Sequence, residues 1–101
     1  MKRYKLLFFP KALSDLEEAR SWYNLHLQQK GLGKRLITDV KSVISSIKQN
    51  PYFASVKFEN LRTAACKTFP YAIHYEIDEV NNIISIVSIF HFSRRPYWLD
   101  G

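Results

Sequence analysis

The chain has 101 residues, of which 47% are hydrophobic and 24% are charged, and its formal net charge at pH 7 is +6. This length predicts a single domain over residues 1–101, and this composition excludes an intrinsically disordered chain. The positive charge favours an acidic partner, such as a nucleic acid, an anionic membrane surface or an acidic protein. The single cysteine, Cys66, excludes an intrachain disulfide and a cysteine-based metal site, and its apolar surroundings in the sequence are typical of a small core residue.

The N-terminal segment, MKRYKLLFFPKAL, contains an apolar run that is too short for a signal peptide or a membrane span. We therefore expect a cytoplasmic protein that does not enter the membrane. Residues 3–9 are rich in aromatic and aliphatic side chains, which predicts a short strand that Pro10 ends. From Lys11 onward the apolar residues recur at helical spacing, which predicts a first helix. These residues are Ala12, Leu16, Ala19, Tyr23 and Leu27.

A second helix is predicted after Gly31 and Gly33, which interrupt the first helical pattern. Asn50 and Pro51 end this second helix. The segment KGLGK between the two helices is short, so we expect an antiparallel helical hairpin. The apolar stripe of the second helix consists of Leu36, Val40, Val43, Ile44 and Ile47.

The remainder of the chain is typical of strands. Residues 52–60 favour an irregular or partly extended segment, whereas LRTAACKTF, YAIHYEID and IISIVSIFHF each predict a strand. The segment EVNN predicts a turn between the last two strands. The order strand, helix, helix, strand, strand, strand indicates an α+β fold. In this fold a two-helix hairpin packs on one face of a curved, mainly antiparallel sheet.

The alternation of side chains predicts where the polar residues of the sheet lie. In YAIHYEID, His74 and Glu76 fall on the face opposite the apolar residues. Alternation along the preceding strand places Arg62 on the same face. Because the two helices cover one face, we expect these three side chains on an exposed groove. The segment HFSRRPYW, residues 91–98, is then expected to line one end of that groove.

Five segments of the sequence together resemble a known family. GLGKRL, NPYF, LR, FPYAIHYEID and IFHFSRRPYW occur in this order across almost the whole chain. This ordered set resembles the RelE/ParE superfamily of toxins from type II toxin–antitoxin pairs. The motif H-x-x-R-x-P, here His91, Arg94 and Pro96, is closer to the ParE side. The resemblance implies the fold described above and a growth-arresting protein that a cognate antitoxin holds inactive.

The resemblance implies two alternative targets. ParE-like members are similar to inhibitors of DNA gyrase, and RelE-like members are similar to endoribonucleases that cut mRNA on the ribosome. Such cleavage needs a base, an acid and cations around the scissile phosphate. For a nuclease, the candidates for base and acid are His74 and His91. Arg62 and Arg94 would then hold the phosphate, and Tyr97 would stack on a base.

For a toxin that acts by binding, the candidates for contact with the target or the antitoxin are Arg94, Arg95, Trp98 and Lys67. Paired arginines suit the carboxylates of an acidic antitoxin segment. Together with Lys57 and Arg62, Lys67 only partly matches the dense basic set of RelE-like nucleases, which favours inhibition of gyrase.

Three further alternatives stay open. A basic binding module without toxicity has the same composition. His74 is also compatible with a strand histidine that is bonded to a neighbour, and Tyr97 and Trp98 with a seal at the edge of the core. The sequence contains no cluster of metal ligands, and GLGK lacks the rest of a phosphate-binding loop, so we expect neither a metal nor an organic cofactor.

Overall fold

The computed structural model describes residues 3–26 and 31–92, and within them two helices pack against a five-stranded sheet. The predicted α+β class and the order of the elements are confirmed, with one short strand added between the second helix and the next predicted strand. The elements in chain order are β1 (Lys5–Phe8), α1 (Pro10–His26), α2 (Leu32–Gln49), β2 (Val56–Phe58), β3 (Leu61–Ala65), β4 (Tyr71–Asp78) and β5 (Ile83–His91).

The sheet is mixed, with the strand order β1-β5-β4-β3-β2. β1 runs parallel to β5, and the other three neighbouring pairs are antiparallel, as their short connections require. The pairing of β1 with β5 ends where Phe8 lies opposite Ile86. β5 nevertheless continues to His91, so its C-terminal half extends beyond its parallel neighbour. This overhang lies beside α1 and borders the site described below.

Two glycines lie where the helices meet: Gly31 allows the turn into α2, and Gly33 allows α2 to approach α1 closely. Gly31 precedes α2 with a φ of 85°, a left-handed conformation that glycine adopts without strain. Gly33 lies inside α2, so the second helix begins earlier than predicted, at Leu32. A Cβ atom at Gly33 would stand 2.9 Å from the backbone oxygen of Arg20 in α1. The apolar stripe of α2 is buried in the core, with Leu36 and Val40 fully buried and Ile44 partly buried.

The strand predicted over residues 61–69 ends earlier, at Ala65, and residues 66–70 form a loop that turns back towards α2. The carboxylate of Asp39 in α2 accepts three backbone hydrogen bonds from this loop. The N–H groups of Thr68 and Phe69 each lie 2.9 Å from Oδ2, and the N–H of Lys67 lies 3.4 Å from Oδ1. Asp39 is 9% exposed. A buried carboxylate therefore satisfies the backbone donors that strand pairing leaves open.

Cys66 lies in the same loop and is half-buried against the core. Burial raises the pKa of its thiol to about 12, and the nearby carboxylate of Asp39 adds to this effect. The thiol is therefore neutral and weakly nucleophilic at physiological pH. This agrees with the prediction of a small core residue.

We expect Asp39→Ala to lower the free energy of unfolding by about 3 kcal/mol, because three backbone donors lose a charged, buried acceptor. The measurement is urea denaturation at neutral pH. Asp78→Ala is the matched control, since the carboxylate of Asp78 also accepts three hydrogen bonds, from the backbone of Val80 and from the backbone and side chain of Asn81, at an exposed turn. Equal losses in the two variants would contradict the role that we assign to burial.

Candidate functional site

A cleft of about 640 Å³ lies between α1 and the adjacent ends of β4 and β5. One face of α1 forms its first wall, through side chains at the helical spacing i, i+4, i+7 and i+11. Tyr71 and His91, which are cross-strand partners at the ends of β4 and β5, form the opposite side. The cleft therefore combines aromatic rings with ionisable groups. The residues that α1 contributes at this spacing are Lys11, Asp15, Glu18 and Trp22.

Asp15 connects α1 to the overhanging half of β5. Its Oδ2 atom accepts a hydrogen bond from the backbone N–H of Ile89 at 3.0 Å. The ammonium group of Lys11 lies 3.0 Å from the same oxygen. Asp15 is not among the candidate residues predicted from the sequence. The signal that could have found it is the spacing of Lys11, Asp15, Glu18 and Trp22 on one face of the helix.

His91 is the last residue of β5, which ends one residue before the predicted strand does, and it borders the cleft. Its half-buried ring packs edge-on against Tyr71, with 5.1 Å between the ring centroids. Tyr23 of α1 packs edge-on against Phe69, also at 5.1 Å, and lies near Tyr71. These aromatic contacts fix the shape of the cleft beside His91.

His74 lies on the opposite face of the sheet from His91. Its Nδ1 atom is hydrogen-bonded to Oγ of Ser88, its cross-strand partner, at 2.9 Å. The ring of Phe90 stacks beside it, with 4.3 Å between the centroids. His74 is 1% exposed, so the prediction of an exposed groove around this side chain was wrong. Ser88 and Phe90, which are themselves buried, lie against the ring on this face of the sheet.

Burial lowers the pKa of His74 to about 4, and the positive charge of Lys11 contributes in the same direction, while Asp15 opposes it. His74 is consequently neutral at physiological pH. A side chain with this burial cannot meet a bound phosphate without rearrangement of its neighbours. The interpretation of His74 as a strand histidine bonded to a neighbour fits this geometry.

Arg62 lies on the face opposite His74, contrary to the prediction. It is the cross-strand partner of Tyr75, whereas Thr63 is the partner of His74. The guanidinium group donates a hydrogen bond to the backbone oxygen of Ala54 at 2.5 Å. Alternation predicts which residues of β3 share a face, but the register of β3 relative to β4 cannot be read from the sequence.

The Arg62 guanidinium also stacks on an exposed ring, since its Cζ atom lies 5.0 Å from the ring centroid of Tyr52. Beneath it, the hydroxyl of Tyr75 donates to the backbone oxygen of Pro51 at 2.6 Å, and burial raises the pKa of that hydroxyl. Arg62 therefore fastens the segment after α2 to the sheet, and it does not share a face with His74.

The remaining candidates divide into two groups. Lys57 and Lys67 are exposed, on β2 and on the loop between β3 and β4. The other four lie outside the described residues, and they are Arg94, Arg95, Tyr97 and Trp98.

Two general features of the described segments bear on function. Within residues 3–26 and 31–92, His, Cys, Asp and Glu side chains form no group of three or more that could hold a metal ion. In the same part of the chain, neither helix has the length and apolarity needed to cross a membrane.

We expect His74 to make the protein less stable in acid. An unfolded histidine binds a proton near pH 6.5, whereas buried His74 stays neutral to about pH 4. Acid therefore favours the unfolded state, by about 3 kcal/mol at pH 4 relative to neutral pH. Chemical denaturation at intervals between pH 7 and pH 4 measures this loss. His74→Gln has no titrating group at this position, so the stability difference from the parent should change with pH. Parallel stability curves would contradict the prediction.

Comparison with known proteins identifies structures with the same fold and the family of this chain. Solved structures with the same fold include the chromosomal ParDE toxin–antitoxin system of P. aeruginosa, with a TM-score of 0.75, 15% identity and coverage of 88% of this chain and 96% of that chain. The intact RelBE complex of E. coli matches with a TM-score of 0.61, 14% identity and coverage of 90% and 99%. The RelBE2 complex of Mycobacterium tuberculosis matches with a TM-score of 0.60, 16% identity and coverage of 89% and 99%. At these identities the likeness shows the fold.

Among curated proteins, no sequence matches this chain significantly. Residues 6–96, however, match the sequence model of a family described as the ParE toxin of type II toxin–antitoxin system, parDE. This match spans both helices, all of the sheet except the first residue of β1, and most of the closing segment. The chain therefore belongs to the ParE family of toxins from type II toxin–antitoxin systems.

Proposed function

We propose that this toxin arrests bacterial growth by binding and inhibiting DNA gyrase in the cytoplasm, and that a cognate antitoxin neutralises it. The observation that carries the proposal is the match of residues 6–96 to the ParE family. Inhibition of gyrase is the activity that resemblance to the ParE side implies. The antitoxin is proposed because the similar solved structures include toxin–antitoxin complexes.

The arrangement of the described candidate residues supports action by binding. Cleavage of RNA requires a base and a cation at one phosphate. His74 is buried and neutral, and Arg62 lies on the other face, where it is bonded to Ala54. His91 borders a cleft that Lys11, Asp15 and Glu18 also line, and there the Asp15 carboxylate already accepts hydrogen bonds from Lys11 and from the backbone of Ile89. Within the described segments, the side chains of His74, Arg62 and His91 therefore do not converge on one position.

We propose that gyrase or the antitoxin contacts the cleft beside α1 and the segment that follows His91 in the sequence. His91 borders the cleft, and Arg94 and Arg95 follow it closely in the sequence. Trp22 on the opposite wall is 40% exposed, which is high for a tryptophan at the edge of a core. Exposed aromatic and arginine side chains are the residues that dominate protein–protein binding energy.

We expect the purified toxin to inhibit DNA supercoiling by gyrase or to trap the enzyme on cleaved DNA, because the proposed function places gyrase as the target. Supercoiling of a relaxed plasmid provides the measurement, and addition of the protein encoded by the neighbouring small gene should restore it. Translation of a defined mRNA on ribosomes is the parallel assay. Normal supercoiling combined with cleaved mRNA would replace the proposal with a RelE-like endoribonuclease.

We expect Arg94→Ala/Arg95→Ala to reduce growth arrest sharply. We also expect both arginines to be surface positions, where a substitution usually changes the free energy of unfolding by about 0.5 kcal/mol or less. Induced expression in bacteria and a thermal melt of the purified protein are the two measurements. Arg3→Ala/Lys5→Ala is the control, since it removes two exposed positive charges at the start of the chain. Full growth arrest by the Arg94/Arg95 variant would exclude these residues from the functional surface, and failure to fold would assign them a structural role.

A further inference from the structure

The exposed face of α2 carries a regular row of positive charges. Five side chains separated by alternating steps of four and three residues share one face of this helix, and all five are exposed. Lysine and hydroxyl side chains alternate along the row, which we call the lysine row. Its members are Lys34, Thr38, Lys41, Ser45 and Lys48.

The lysine row is not neutralised by neighbouring acids in the described segments. The one acidic residue in the sequence of α2 is Asp39, which is buried and occupied by backbone N–H groups. The ion pairs among described residues, Lys11–Asp15 and Glu17–Arg20, both lie on α1. The two helices thus differ in charge: α1 holds compensated pairs, and α2 presents uncompensated cations to solvent.

A shallow hollow of about 380 Å³ adjoins the lysine row. Its lining includes the cationic residues Arg35 and Lys67 and the hydroxyl-bearing residues Thr38, Ser42 and Thr68. Asp39 also lines it, and the carboxylate of Asp39 is bonded to backbone N–H groups. Positively charged and hydroxyl side chains are the groups that most often contact phosphate oxygens. The hollow therefore extends the same chemistry from α2 to the loop between β3 and β4.

We propose that the lysine row and this hollow bind the phosphate backbone of a nucleic-acid duplex without regard to sequence. At the rise of an α-helix, successive lysines of the row are about 10 Å apart and span about 21 Å in a straight line. Such even spacing along a rigid element fits a regular linear polyanion. This inference goes beyond the inhibition of gyrase and does not depend on it.

The composition of the row decides between partners. It contains no aromatic side chain on which the bases of a single strand could stack. It also lacks the apolar and aromatic anchors that hold a protein partner. A duplex exposes its phosphates on the outside, so its binding requires neither aromatic side chains for base stacking nor apolar anchors. A nucleic-acid duplex is therefore the partner that this surface fits. DNA and RNA duplexes share this chemistry, and the experiment distinguishes them.

The test is binding of the full chain, separated from any antitoxin, to fluorescent duplexes of about 24 base pairs. DNA and RNA duplexes and the corresponding single strands are compared by anisotropy at salt concentrations from about 50 to about 200 mM. We expect the parent to bind at least one duplex more tightly than its single strands. The logarithm of the binding constant should fall linearly with the logarithm of the salt concentration. The duplex that binds more tightly identifies the source of the phosphates.

The decisive variant is Lys34→Gln/Lys41→Gln/Lys48→Gln, since glutamine keeps a helix propensity close to that of lysine. We expect the salt slope to decrease by about 3, because each lost phosphate contact removes about 0.9 from it. At low salt the affinity should fall more than tenfold. Arg3→Gln/Lys5→Gln/Lys57→Gln is the matched control, which removes three exposed charges elsewhere and should change the slope by less than 1.

Three results would overturn the inference: absence of duplex binding by the parent, preference for single strands, or equal loss in the two triple variants, which would make net charge alone responsible. Circular dichroism checks the fold of each variant. Should the decisive triple variant unfold, Lys41→Glu is measured instead and should weaken duplex binding more than Lys57→Glu does. Because gyrase is absent from this assay, its failure is separate from failure of the proposed function.

Discussion

The hydrogen bond from the backbone N–H of Ile89 to the carboxylate of Asp15 is the interaction on which the site depends. β1 ends opposite Ile86, so the second half of β5 extends past its parallel neighbour. A strand edge in this position exposes backbone donors and acceptors, which attract other chains. Here α1 covers the edge with a carboxylate, and it leaves a cleft beside His91 because a helix cannot approach a strand as closely as another strand does.

A second carboxylate, buried in this case, performs the same task on the other helix. Asp39 of α2 holds the loop between β3 and β4, as Asp15 of α1 holds the end of β5. Each helix is therefore fixed to the sheet by an acidic side chain bonded to backbone N–H groups, in addition to its apolar face. The consequence for α2 is electrostatic. Asp39, the one acidic residue of α2, is buried and bonded to backbone N–H groups. The charged side chains on the exposed face of this helix are therefore all positive.

The sequence predicted the fold well because periodicity reports local structure and chain order limits the topology. Helical spacing located both helices, and the turn at residues 79–82 was correct, with Asn82 at a φ of 54°. The errors concern long-range geometry. The end of β3 depends on Asp39, nearly thirty residues away in the sequence, and the face on which Arg62 lies depends on the register with β4. Alternation identified which residues share a face of β4 but not how deeply each is buried, so the burial of His74 was missed.

The positions of His74 and Arg62 in the fold favour a toxin that acts by binding over one that acts by catalysis. Phosphoryl chemistry requires a proton acceptor and a cation on the same phosphate, and the sheet separates these two side chains onto opposite faces. The burial of His74 holds its pKa at about 4, and the guanidinium of Arg62 is bonded to the backbone of Ala54. Both are thereby used to hold the sheet and its flanking loop in place. The described surface is left with exposed cations and a cleft lined by aromatic rings, a combination suited to recognising a large anionic or acidic partner, and this is the physical reason for proposing a toxin that acts by binding.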